Sequence, residues 1–108
     1  MADPRIRQMK IKTGVVKRLA KDKVMYEQEV KDQMVKIEKL KEAKECEHVI
    51  RKQIEVLQES QMMVPDCKVH IARAYKELVS LMETADDLTE TEEFKQAKSI
   101  LDSVDLED

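Results

Sequence analysis

The chain has 108 residues, of which 40% are charged and 42% hydrophobic, with one Gly, two Pro and only Tyr26, Tyr75 and Phe94 as aromatics. That is the length of one small domain, and close to half of it is Ala, Glu, Lys, Leu or Arg. This is the composition of long or coiled helices, and it excludes a sheet-based fold, which needs more β-branched and aromatic runs and more turn residues. The net charge of −3 conceals two halves of opposite sign. Residues 1–23 are net +6, with eight Lys/Arg against Asp3 and Asp22, and residues 83–108 are net −8, with ten Asp/Glu against Lys95 and Lys98.

Such ends either attract each other within one bundle or leave a basic surface for an acidic partner. Nucleic acid is disfavoured, because the acidic half opposes it and no stacking aromatics accompany the basic stretch. No stretch approaches the roughly 18 apolar residues of a membrane span, and no apolar run follows the first basic residues as in a secretory signal. Cys46 and Cys67 do not form a disulfide framework and fit free thiols in a reducing compartment.

In chain order, Asp3 followed by Pro4 reads as a helix start, a capping carboxylate ahead of proline at the first helical position. A heptad follows with a positions Met9, Val16, Lys23, Val30 and Ile37 and d positions Lys12, Leu19, Tyr26, Gln33 and Leu40. The polar exceptions have long stems that can reach water. Gly14 falls at an outward f position and costs about 1 kcal/mol relative to Ala without breaking the register. The first helix is expected over 4–43.

The phase then slips by one residue, which places a turn at 45–48, although "KEAKECEH" contains neither Gly nor Pro. A second series has a positions Ile50, Leu57, Val64, Ile71, Leu78 and Ala85, with Cys67, Ala74 and Leu81 among its d positions. It passes through Pro65 without a change of phase. Proline removes one helical hydrogen bond and collides with the carbonyl four residues back, yet a loop would reset the register and a kink would not. A second helix kinked at Pro65 is therefore expected over 48–84, with a break before Pro65 as the alternative. Leu57, Val64, Ile71 and Leu78 should be buried together against the first helix.

Thr89 and Glu92 have capping-box spacing, and Phe94, Ala97, Leu101 and Val104 continue an a/d pattern, giving a third helix over 90–104. Helices with single apolar stripes need one another. The expected fold is all-α, an elongated antiparallel three-helix bundle of coiled-coil type forming a single domain over 1–108.

Catalysis is not expected. Cys46, His48, Cys67 and His70 are spaced too far along a helix to meet at one zinc ion. Cys67 and His70 face different ways on the heptad, and a chain with one glycine has no Gly-rich phosphate loop. No catalytic residue, metal or cofactor is predicted.

The segments "IKTGVVKRLAKDKVMYE" (11–27), "LQESQMMVPDCK" (57–68) and "LDSVDLED" (101–108) resemble the tubulin-folding cofactor A family, also called tubulin-specific chaperone A. The similarity is collinear over essentially the whole chain and departs at residues 41–49, where a more turn-like composition is expected. The resemblance implies a cytoplasmic, cytoskeleton-associated, non-enzymatic three-helix chaperone. Such a protein receives β-tubulin after the chaperonin releases it, holds it in a quasi-native state, and passes it to the other tubulin-folding cofactors that assemble the αβ heterodimer. A monomer is expected, with a dimer as the alternative.

The residues themselves suggest where a partner would sit. Ile11, Arg18 and Met25 form a c-position stripe beside Lys17, Lys21 and Val24, while Met62 and Val69 lie at outward f positions on either side of Pro65. Scattered surface apolars are ordinary, but methionines adapt to irregular partners. Two competing readings are a parallel dimeric coiled coil with a skip near residue 45 and no hairpin, and a basic helix binding nucleic acid or a membrane surface.

Overall fold

A computed structural model of the protein describes residues 3–104. The helix α1 spans Pro4–Glu42, α2 spans Glu47–Glu83 and α3 spans Glu92–Ser103, with a short 3-10 turn at Asp86–Leu88 between the last two. The all-α, three-helix expectation holds. The starting signal of α1 works as its residue types require. Asp3 Oδ1 accepts the N–H of Arg5 at 2.9 Å, and the Asp3 carbonyl accepts that of Ile6 at 3.0 Å.

The first turn differs from expectation. It lies at 43–46, a little before the expected 45–48, and it is closed by a pair of reverse hydrogen bonds. The Glu45 N–H donates to the Leu40 carbonyl at 3.0 Å and the Lys44 N–H to the Lys41 carbonyl at 3.0 Å. This is a Schellman stop, which needs a left-handed residue at its centre. Lys44 takes that conformation, with φ of 54°. Glycine adopts it without strain and lysine does not, so the sequence carries the turn without its usual signal.

Helix α2 runs unbroken through Pro65, so the alternative of two shorter helices is excluded. Pro65 has no N–H to give the Gln61 carbonyl, and the helix tolerates that loss. The start of α3 also differs from expectation. Its cap is Thr91, whose Oγ1 accepts the Phe94 N–H at 3.3 Å. Thr89 lies instead in the turn that follows Asp86–Leu88, too early to cap.

The packing forms two units, one made of residues up to Lys21 with those from Lys68 onward, the other of Asp22–Cys67. In the first unit α1 and α2 are antiparallel. Arg5 meets Thr84 and Lys12 meets Glu77, so one heptad forward on α1 corresponds to one heptad back on α2. Against this pair α3 adds Ala97 and Leu101. Met9, Val16, Leu78, Ala85 and Ala97 are completely buried, and Ala74 nearly so. Thr13, the one buried polar side chain among the described residues, donates to the Met9 carbonyl at 2.7 Å. Lys12, polar at a d position, is explained by its reach to Glu77 at 3.4 Å.

The second unit contains two antiparallel helical segments and no third. Ile37 and Cys67 are buried there, whereas Leu57 and Val64 are only half-buried. The expectation of a uniformly buried a series therefore holds for Ile71 and Leu78 and not for Leu57 and Val64. Two helices cover a stripe from one side only. At the d positions the Gln33 amide donates to both the Gln53 carbonyl and Gln53 Oε1, at 3.0 and 2.7 Å. A polar pair of this kind fixes register, because any slip strands an amide in the seam. These contacts and the turn at 43–46 exclude the parallel coiled coil without a hairpin.

Arg5 fastens the start of α1 to the turn after α2. Its guanidinium donates to Asp3 at 2.7 Å, to Asp87 at 2.9 Å and to the Thr84 carbonyl at 3.0 Å. The hydrogen bonds from Arg5 hold the Asp3 and Asp87 carboxyls below their ordinary range. Attraction between the basic beginning and the acidic end is thus realised inside the molecule.

Three outcomes are expected. Leu78→Ala, which empties a completely buried site, should cost about 2–5 kcal/mol in denaturant unfolding. Lys44→Gly should raise stability by about 1 kcal/mol by relieving the left-handed residue, with helicity unchanged in circular dichroism. The two depressed carboxyls favour the folded state above the ordinary carboxylate range and lose that contribution as pH falls through their lowered pKa values. Arg5→Gln should therefore lower the melting temperature at pH 7, and the gap to the parent should close as pH falls below the ordinary aspartate range and through the lowered pKa values.

Candidate partner-binding surface

Chemistry based on reactive groups finds no support in the geometry. Cys46 is exposed in the first turn, while Cys67 is buried. Burial pushes the Cys67 thiol up, and the Asp22 and Asp66 charges push it further, so it stays protonated and is a poor nucleophile. Among the described residues no group of three His, Cys, Asp or Glu could hold a metal ion. Among them also, no helix is long and apolar enough to cross a membrane.

Every residue singled out for partner binding is exposed. In the first unit these are Ile11, Lys17, Arg18 and Lys21 on α1 and Val69 on α2. In the second they are Met25 on α1 and Met62 and Pro65 on α2, with Met62 the most open at 71%. The basic stretch is divided by its contacts. Arg5 and Lys12 serve internal pairs, while the side chains of Lys17, Arg18 and Lys21 make no ion pair among the described residues. Holding three unpaired cations within two helical turns gives that part of α1 a positive field available to a partner.

The structure adds surface that heptad counting missed. In the second unit Met34 and Val35 on α1 and Val49 and Val56 on α2 are exposed, alongside Val24, Met25 and Met62. None lies at an a or d position, so a seam-based reading passes over them. With two helices and no third, their flanks stay open to water. Pro65 borders an apolar groove of about 330 Å³ in the same unit, with Val30 and Val64 as floor and Glu27, Lys31 and Gln61 around it. The proline thus contributes to a concave surface as well as to the helix.

In the first unit Arg18 borders a second open groove of about 360 Å³ between α1 and α2. Val15, Leu19 and Ala74 form its apolar floor, and Arg73 stands on the opposite helix. A third groove, about 530 Å³, lies between Ile6, Arg7 and Lys10 of α1 and Glu93 and Gln96 of α3. All three are open troughs between helices, a geometry suited to side chains of another protein rather than to an enclosed small molecule.

Comparison with known proteins finds relatives over nearly the whole chain. The family model described as tubulin binding cofactor A matches residues 4–101. Tubulin-specific chaperone A of Gallus gallus is 59% identical over 108 residues, covering 99% of each chain, and that of Rattus norvegicus is 57% identical over 107 residues with 99% of each covered. The solved structure of human tubulin chaperone cofactor A superimposes with a TM-score of 0.78 at 52% identity, covering 93% of this chain and 97% of that one.

Proposed function

This chain belongs to the tubulin binding cofactor A family, and from that premise we propose that it is a tubulin-folding chaperone acting on β-tubulin. It captures β-tubulin in a quasi-native state after release from the chaperonin, shields surface that would otherwise aggregate, and passes it to the other folding cofactors for αβ-heterodimer assembly. It works in the cytoplasm beside the cytoskeleton, as a monomer. The observation that carries this reading is identity above one half across nearly the whole chain with chaperones of the same length. The family is one of non-enzymatic chaperones, and binding alone performs the task.

The helix surface supplies what such a task requires. Lys17, Arg18 and Lys21 offer unpaired positive charge, and Ile11, Met25, Met62 and Val69 offer exposed apolar area. Methionine suits a client that is not yet fully native, because its unbranched, polarisable chain adapts to irregular contacts. On α2 the exposed Pro65 lies in sequence between Met62 and Val69 and lines an apolar groove.

Pull-down of purified β-tubulin against α-tubulin tests the reading: β-tubulin should be retained and α-tubulin should not. Equal retention of both, or of neither, would refute it. Reversing Lys17, Arg18 and Lys21 to Glu should weaken capture, and that loss should fade as salt is raised. Met62→Ser should weaken it independently of salt. Pro65→Ala should leave stability equal or higher, since proline in a helix interior is about 3 kcal/mol less favourable than alanine, and should still lower capture.

A further inference from the structure

The groove between α1 and α2 in the first unit has a composition that fits one class of ligand. Its floor is apolar, with Ala74 buried and Val15 and Leu19 half-buried. Its two walls each present an exposed arginine, Arg18 from α1 and Arg73 from α2, and neither makes an ion pair among the described residues. The one carboxylate at the rim, Glu77, is engaged with Lys12 at 3.4 Å. Among the described residues the Arg73 side chain makes no hydrogen bond, and Arg73 is not among the residues that heptad reasoning selects.

We propose that this groove seats an acidic segment of the client protein, with a Glu or Asp carboxylate held between Arg18 and Arg73 and a neighbouring apolar side chain resting on Val15, Leu19 and Ala74. The inference rests on the chaperone reading and specifies the chemistry it recognises. A guanidinium presents a planar fork that matches a carboxylate, and two forks facing one trough fix its position as well as its charge. A volume of about 360 Å³ accommodates a few side chains and not a folded surface. Nucleic acid fits less well. Single-strand binders combine positive charge with several aromatic stacking platforms, whereas this groove has an aliphatic floor, His70 as its one ring and a carboxylate at its rim.

The test uses the full chain and a short fluorescent peptide in which glutamates alternate with leucines, with a matched peptide carrying glutamine in place of glutamate. The parent should bind the glutamate peptide and ignore the glutamine one. Arg73→Glu should weaken binding about tenfold or more, as loss of a charge-assisted pair does, and Arg18→Glu with Arg73→Glu should abolish it. Arg73→Gln, which keeps most of the side-chain length and removes the charge, should lie between the parent and Arg73→Glu. Because both arginines are exposed, helicity and melting should be unchanged. Equal affinity for the two peptides, or undiminished binding by Arg73→Glu, would overturn the proposal, as would an oligonucleotide that binds the groove more tightly than the glutamate peptide. β-Tubulin capture is measured on the same proteins. Capture by the parent without charge-dependent peptide binding refutes the groove alone. Peptide binding that follows both arginines, with no capture of β-tubulin, refutes the chaperone reading and leaves the groove standing.

Discussion

Each helix of this protein carries one narrow apolar stripe, and burying that stripe against a neighbour is the condition on which everything else rests. Isolated helices gain little in water without a packed face. Doubling α1 back on α2 brings two stripes together, and in the first unit α3 completes the enclosure. There Met9, Val16 and Leu78 lose all contact with solvent. Where only two helices meet, in Asp22–Cys67, the seam holds Ile37 and Cys67 but leaves Leu57 and Val64 half-covered. The Gln33–Gln53 pair belongs to this thinner unit, where apolar contacts alone specify register less strongly.

Pro65 illustrates how such a helix absorbs a local fault. The missing N–H leaves the Gln61 carbonyl without its helical donor, but α2 remains helical throughout. Val64 and Cys67 on either side still contribute to the seam, and Gln61 itself lines an open groove. A substitution that would break a lone helix is therefore tolerated on one whose stripe is already packed.

Charge is used in two ways. Arg5 and Lys12 face carboxylates within the fold, and Arg5 in particular closes the end of the first unit by joining the beginning of α1 to the turn after α2. Lys17, Arg18 and Lys21, further along α1, make no ion pair among the described residues. One continuous basic segment thus serves internal cohesion at its start and an outward field further on. Net charge cannot distinguish these roles, since both sets contribute the same sign.

The residues alone determined the helical class, the number of helices, the a/d seam and the continuity of register through Pro65, because each follows from spacing along a single helix. The family resemblance likewise lay in contiguous segments on both sides of that proline. The position of the first turn is not legible in the sequence, because its left-handed centre is Lys44 and carries no glycine signal. Two threonines stand two residues apart before α3, and only the path of the chain through Asp86–Leu88 selects Thr91 over Thr89 as its cap. The half-burial of Leu57 and Val64 is not legible in the stripe, which does not reveal how many neighbours cover it. Arg73 gained significance only when α2 was laid beside α1, opposite Arg18. Periodicity fixes which way a side chain points on its own helix. What stands across from it is decided by residues distant in sequence, and that is information only the tertiary structure contains.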